Sequence, residues 1–529
     1  MGKAFPKTTI EGPTPATIRE GVGMPIMSMT MIVEEEEGSK VDEEATPSLT
    51  AKKGKGSTYE VINVLRNLVE IVEMEESVSK KQNTGTEEDV ISDLPGDILQ
   101  HILSFLPVKC VVATSCLSKR WRYIWTKVQV VDFEDVLFYS PIGEEPERRK
   151  NFMNFVDKLL SFPIMLHKFS FSLHGEFDES LLQTWISTVI ERKVQHLSLT
   201  ICLFGQSFVF PSSLYGCGSL ISLKLEMNNS NLEVPTLIFL PNLKTLHLSF
   251  ITFPDDSSTQ NLFSSCPVLE ELIIDNCKCI DMKKLCISVT TLKRLTLDSP
   301  YDEREEKEMV GCVIKIYAAN LISFRCRSYV SGDYDIGHLS SLVDAEINLL
   351  HNPLDKDRME ETGIVACKLL QFMSNVKVLK ICNGTFKCLS YRKDLLRYLP
   401  TFHNLIHLEV NSKVIDTIQV LIDVLQVSPN LEHLVLTRGF CSYFDTGDDV
   451  CMLNTTRSCL FVHLKAAAFM NFEGYKTESY LLKFLLENAR VLEKVAIECS
   501  NLSPKKMQRV MKLILMLPKL SESCVIEFF

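Results

Sequence analysis

The chain has little of what membrane-spanning, zinc-binding or nucleic-acid-binding proteins need. No uninterrupted apolar run in its 529 residues reaches the roughly 18 of a membrane span, and the first residues lack the apolar stretch of a signal peptide. Positive charge is in short supply: 56 Lys and Arg stand against 67 Asp and Glu, a net charge of −11. A general nucleic-acid binder would need a basic stripe, so no nucleic-acid partner and no membrane partner is expected. Eighteen cysteines are present, but only Cys277 and Cys279 form a tight pair, and no second pair follows at zinc-site spacing. Cys202, Cys286, Cys312, Cys326 and Cys382 sit inside apolar runs, where a free thiol behaves as a small hydrophobe. That usage reads as reduced core cysteines of an intracellular protein, cytoplasmic or nuclear.

Catalytic signatures are missing as well. There is no Gly-rich phosphate loop, no His-Glu-x-x-His and no nucleophile elbow. His196, His247, His407 and His433 occupy variable positions of predicted strands, and paired carboxylates occur only in acidic stretches expected to be exposed. No catalytic residue, cofactor or metal is expected, and the chain reads as a binding protein.

Apolar residues, by contrast, are plentiful at 46%, enough for a sizeable core, and the length calls for more than one structural unit. Between Val90 and Lys127, Leu94, Ile98, Ile102 and Phe105 recur at helical spacing, and Leu99, Leu103 and Leu106 widen the same face. Asp93 and Pro95 suit the start of that helix and Pro107 its end. A second short helix is expected through Val111, Val112 and Ser115, and a third through Trp121 and Trp125. So small a trio cannot hide all this apolar surface within itself and needs a partner. From Ile91 to Lys127 five bases (Lys109, Lys119, Arg120, Arg122, Lys127) face two acids (Asp93, Asp97), which suits an acidic one.

The elements Leu94-Pro95, Ile98-Leu99, Ile102 to Pro107 and Ser118 to Trp121 resemble the F-box in order and spacing. The resemblance implies docking on Skp1, the adaptor that leads to a cullin–RING ubiquitin ligase. It implies Leu94, Pro95, Ile98, Leu99, Ile102, Leu103, Leu106, Pro107, Trp121 and Trp125 as the Skp1-binding residues.

Further on, the pattern apolar, two residues, apolar, one residue, apolar repeats. Clear copies are Leu220/Leu223/Leu225, Leu243/Leu246/Leu248, Leu269/Leu272/Ile274, Leu292/Leu295/Leu297, Leu405/Leu408/Val410 and Leu431/Leu434/Leu436. Weaker copies start at Leu166, Val194, Leu321, Leu342, Val376, Leu464 and Leu492. Most intervals between starts are 23 to 29 residues, the period of a leucine-rich solenoid. Each unit would lay one short parallel strand on the concave face, with helices or irregular turns opposite, and would share a continuous core with its neighbours. Pro in Leu240-Pro-Asn-Leu, Cys266-Pro-Val-Leu and Ser428-Pro-Asn-Leu falls just before a strand, where its missing donor is tolerated. Charged runs at Asp298 to Gly311 and His351 to Glu361 read as rim loops. The stretch from His463 through Gly474, Glu478 and Leu481 to Ile497 resembles the FBD region of plant F-box proteins, reading strand, turn, helix, strand. It would close the solenoid with a polar outer side.

The expected organisation is α/β: a disordered arm at 1–57, an amphipathic helix at 58–80, a linker at 81–89 and a short three-helix F-box at 90–130. A leucine-rich-repeat solenoid at 150–455 and the FBD region with a C-terminal cap at 456–529 complete it. The 58–80 helix, with Val61, Val64, Leu65, Leu68, Ile71 and Val72 on one face, could pack on the F-box, self-associate or stand alone. Lys224, Glu226, Lys244, His247, Glu271, Lys293, Arg294 and His407 point outward from predicted strands, and their mixed signs suit an unidentified target protein. Together these readings make a substrate receptor of an SCF-type ubiquitin ligase; the alternative is a non-ligase scaffold with a degenerate F-box. A hormone-like ligand would need clustered Arg and Lys, and these are scattered.

Overall fold

The computed structural model describes residues 94–106, 108–117, 119–134, 145–175, 177–203, 208–280, 282–298, 312–329, 333–350, 356–411, 418–437, 461–499 and 502–529. The arm at 1–57, the helix at 58–80, the linker at 81–89, Asp93, Pro107, Ser118 and the charged run 302–308 lie outside them. By internal contacts the chain divides into Met1–Gly56 and Ser57–Phe529, and every described residue belongs to the second.

Each repeat copy becomes a strand that starts two residues after the copy's first apolar residue. Leu166 leads to Lys168–Gly175, Leu243 to Thr245–Thr252 and Leu492 to Lys494–Ile497. Among the described residues, fifteen strands from Val130–Glu134 to Val525–Phe528 build one parallel sheet in chain order. The register stacks the second and third apolar positions of each copy. Leu223, Leu246, Leu272 and Leu295 form one continuous line, and Leu225, Leu248, Ile274 and Leu297 another. All eight are buried. Each such Leu or Ile contributes about 1.5–3 kcal/mol only because its neighbours on both sides also bury theirs.

A tight turn precedes most strands. Leu243 N–H donates to Leu240 O, Leu269 to Cys266 and Leu431 to Ser428. Pro241, Pro267 and Pro429 therefore hold the second position of a turn that suits their fixed φ, shortly before each strand begins. The following Asn ties units together: the Asn242 side-chain amide donates to Gly218 O at 2.7 Å and Asn430 to His403 O at 2.8 Å.

Helices back the sheet at both ends. Glu179–Glu191 starts where the Asp178 carboxylate accepts from the Ser180 and Leu181 N–H groups, and it buries Leu182, Trp185, Ile186, Val189 and Ile190. Lys356–Phe372, Asn383–Tyr391, Ile418–Gln426 and Lys476–Asn488 back later units. In the middle the expected helices or turns give way to Lys284–Ile287, Val313–Ile316 and Asp333–Ile336, which form a second parallel sheet of three strands. Its edges are occupied: Asp256 on helix Asp256–Ser264 accepts from Lys283 and Lys284 N–H, and Lys368 bridges to Asp333 at 2.8 Å.

Three expectations need correcting. The sheet starts at Val130, not residue 150, because Val131 and Phe133 extend the core ladder onto Phe169 and Phe171. The proposed rim loop at 351–361 turns helical at Lys356, where Met359 already faces the core. The closing unit, expected to be polar outside, leaves Leu513, Leu515, Met516, Leu520, Val525 and Phe529 exposed.

Candidate docking surfaces

The first surface is the helical segment ahead of the sheet. Helix Gly96–Leu103 is followed by Val108–Ala113 and by 3-10 turns at Thr114–Cys116 and Trp121–Lys127. Helical spacing gives Gly96–Leu103 two apolar faces. Leu99 and Leu103 point inward and form a small core with Val111, Trp121 and Val128; Leu94, Leu106, Leu117, Ile124 and Trp125 pack around it. Ile102 is also buried, against Leu94, Leu106, Cys110, Ala113 and Leu117. The other face is open: Pro95 is exposed, Ile98 is 43% exposed and Phe105 68%. Tyr123 is exposed as well.

The ten residues expected to face an adaptor thus divide. Leu99, Leu103 and Trp121 lie beneath the surface and build the segment's own small core. Trp125 is turned toward the solenoid and meets Phe162 edge-on at 5.0 Å, so part of the surplus apolar surface is covered within the chain. Pro95 and Ile98 face out, Leu94 and Leu106 are half-buried, Ile102 is buried, and Pro107 lies outside the described residues. Phe105, read from the sequence as part of the helical stripe, lies in the turn just after the helix and is more exposed than Ile98.

The second surface is the sheet face turned away from the helices. Because side chains alternate along a strand, the residues between the ladder leucines emerge there in rows. Five of the eight expected contact residues, Lys224, Glu226, His247, Glu271 and Arg294, lie on adjacent strands, and Lys244 and Lys293 sit one residue before two of these strands. Lys224 pairs with Glu226 at 3.0 Å, Arg294 with Glu271 at 2.9 Å, and Lys244 and Lys293 share Glu270 at 3.8 and 3.0 Å. The Lys293 ammonium holds the Glu270 carboxyl below its usual range. His247 lies beside Lys224 in register, with Nε2 2.9 Å from Ser249 Oγ. Its burial, and secondarily Lys224, lowers its pKa. His407 stands apart, with strands Ser323–Tyr329, Asp344–Leu350 and Val378–Cys382 between it and Arg294.

Those intervening strands carry a charged row missed in the sequence. Arg325 meets Glu346 at 3.1 Å, Lys380 meets Glu346 at 3.8 Å and Glu409 at 3.2 Å. Asp275 and Asp298 are opposite each other in register. Partial burial raises both carboxyls, and Asp298 adds to the rise at Asp275. The face is therefore a charge mosaic of both signs, with its groups held in strand register.

No disulfide joins the described cysteines, and burial pushes the Cys277 and Cys388 thiols up to about 12, away from thiolate chemistry. Among the described residues no group of three or more His, Cys, Asp or Glu is placed to hold a metal ion, and no helix is long and apolar enough to cross a membrane.

Comparison with known proteins matches these parts one by one. The F-box domain model matches residues 91–132, the leucine-rich repeats of an FBD-associated F-box protein (At5g56370) match 182–317, and the FBD model matches 456–497. The F-box/LRR-repeat protein At4g14096 of Arabidopsis thaliana is 32% identical over 456 residues, covering 83% of this chain and 94% of that protein. The chain belongs to the plant F-box/FBD/LRR-repeat family. F-box/LRR-repeat protein At4g14103 of the same plant is 35% identical, covering 70% of this chain and 97% of the relative. The F-box/FBD/LRR-repeat protein At1g78750 is 29% identical over 449 residues. Family membership makes this F-box/FBD/LRR-repeat chain a substrate receptor in the general sense, with an F-box for an adaptor and repeats for a target.

Proposed function

We propose that the chain is the substrate-recognition subunit of an SCF-type ubiquitin ligase. Its F-box binds a Skp1-type adaptor, and through it a cullin–RING scaffold, while the open sheet face holds a target protein. The observation that carries this reading is the exposed apolar set on and flanking helix Gly96–Leu103. Pro95, Ile98 and Phe105 remain exposed after the segment has built its own core with Leu99, Leu103 and Trp121. An exposed apolar set on and beside a short helix, flanked by the exposed bases Lys119, Arg120 and Lys127, suits an acidic partner with an apolar groove.

Ubiquitin transfer then belongs to the conjugating enzyme recruited by the scaffold, and this chain contributes proximity rather than reacting groups. The mixed-sign mosaic at Lys224, Glu226, Glu271, Arg294, Arg325, Glu346 and Lys380 favours a folded protein target over a polyanion, which would leave the carboxylates facing like charge. Size-exclusion chromatography of purified chain with purified Skp1-type adaptor tests the first step. A stable complex is expected. A folded wild-type chain that never comigrates with the adaptor would leave only an interaction scaffold with a degenerate F-box.

A further inference from the structure

Burial pushes the thiols of Cys266, Cys277 and Cys388 up to about 12 and that of Cys326 to about 11, so they pack as inert core groups. Cys279 and Cys312 differ because they meet each other. After strand Glu271–Asp275 the chain turns, Met282 N–H donating to Cys279 O at 3.4 Å, and enters strand Lys284–Ile287 of the second sheet. Val313–Ile316 lies parallel to that strand, with Lys284 opposite Val313 and Val313 N–H donating to Lys283 O at 3.0 Å. Cys312 therefore arrives beside the turn that carries Cys279. The two residues are 6% and 2% exposed, and the Cys279 thiol donates to the Cys312 sulfur. That bond, with a further one from the Leu285 backbone N–H, holds the Cys312 thiol below its usual range, against burial and the nearby Asp256 carboxylate. The same contact and burial push the Cys279 thiol up. Cys277, two residues from Cys279, is aimed elsewhere: its sulfur lies 3.4 Å from the Leu248 and Asp275 carbonyl oxygens.

We propose that Cys279 and Cys312 are a redox site, joined by a reversible disulfide when the folded chain meets hydrogen peroxide. Sulfurs already in contact need only small side-chain movements to bond. Cys312 attacks one peroxide oxygen, the O–O bond breaks, and the released hydroxide takes the thiol's proton as water, leaving Cys312 a sulfenic acid. Cys279 then attacks the Cys312 sulfur, the S–O bond breaks, and a second water leaves with the Cys279 proton. Two thiols have lost two electrons and two protons, and the peroxide has gained them. A dithiol reductant returns both by exchange through a mixed disulfide. The bond ties the turn after Glu271–Asp275 to the entry of Val313–Ile316, closing the chain between them into a loop and fastening the second sheet at one end. The middle of the solenoid is then the part of this chain that responds to oxidant.

The test treats the purified full chain with hydrogen peroxide while it is folded. The chain is then unfolded with its remaining thiols alkylated, digested, and read by mass spectrometry. A peptide pair joined through Cys279 and Cys312 is expected, and dithiothreitol added before alkylation should abolish it. Cys312 should be consumed about tenfold faster or more than the buried Cys388. Cys279→Ala should leave Cys312 as a sulfenic acid that dimedone traps, and Cys312→Ala should leave Cys279 a free thiol. The wild-type readings need no variant to fold. No Cys279–Cys312 link in the folded wild type, a link from Cys279 to Cys277 in its place, or Cys312 consumed no faster than Cys388 would each overturn the proposal.

Discussion

Ile98 and Leu99 are neighbours in sequence with opposite duties, and replacing each by Ala separates folding from adaptor binding. Leu99 is fully buried and touches the small core of Leu103, Val111, Trp121 and Val128. Truncating it removes three carbons from a closed space, a loss of about 2–5 kcal/mol in comparable cores. Ile98 is 43% exposed, so a similar truncation sheds only part of its burial, about 1 kcal/mol or less. At the adaptor the ranking reverses. An apolar anchor at the centre of an interface costs about 2 kcal/mol or more on truncation, roughly thirtyfold in Kd. Hydrogen exchange over residues 94–128 reads the local stability, and isothermal titration with purified adaptor reads the affinity. Ile98→Ala should keep wild-type exchange and lose affinity; Leu99→Ala should speed exchange across the whole segment. If Ile98→Ala binds like wild type while the segment is folded, the exposed face is not the docking face and the assignment is wrong.

Other consequences can be checked independently. A Cβ on Gly384 would stand 2.1 Å from Leu349 O, and next to it the Thr385 hydroxyl accepts from Leu349 N–H, so the helix meets the strand backbone directly. Gly384→Ala should therefore cost about 2 kcal/mol or more in denaturant unfolding, beyond the range of a surface change. His196, His247 and His407 have pKa values lowered chiefly by burial, so on acidification the unfolded chain takes up protons before the folded one. Their contribution is present above the usual imidazole range and is lost as pH falls through it. Thermal melts from pH 7.5 to pH 5.5 should show a decline that shrinks in His247→Gln/His407→Gln, with about 6.5 as the unfolded reference. Lys380→Gln removes bridges to Glu346 and Glu409 on a partly exposed face; it should cost about 1 kcal/mol of stability but lower capture of any target bound there, read by pull-down.

Much of this architecture was legible because a solenoid writes the same apolar pair into every unit. Even weak copies such as those starting at Val194 and Leu464 lead into strands in the shared register. The second sheet escaped because Lys284–Ile287, Val313–Ile316 and Asp333–Ile336 are only four residues each and fall between copies, where a period search has nothing to compare. Helix Lys356–Phe372 was hidden by the charges of its first turns. At the F-box, helical spacing identifies an apolar helix but cannot say which of two apolar faces is used internally; Leu99, Leu103 and Trp121 turn out to form the inner core. On the open face, the row from Arg325 to Glu409 runs mainly over units whose apolar pattern is weak, and its charges meet only through strand register.

The exposed F-box face is expected to connect this chain to a cullin. The most direct measurement is cullin recovery with the tagged full chain from plant cells, comparing wild type with Ile98→Asp/Phe105→Asp, two exposed positions whose change leaves the core intact. Cullin should accompany the wild-type chain and be lost from the variant. Cullin absent from a folded wild-type chain, or recovered equally with both, would contradict that expectation.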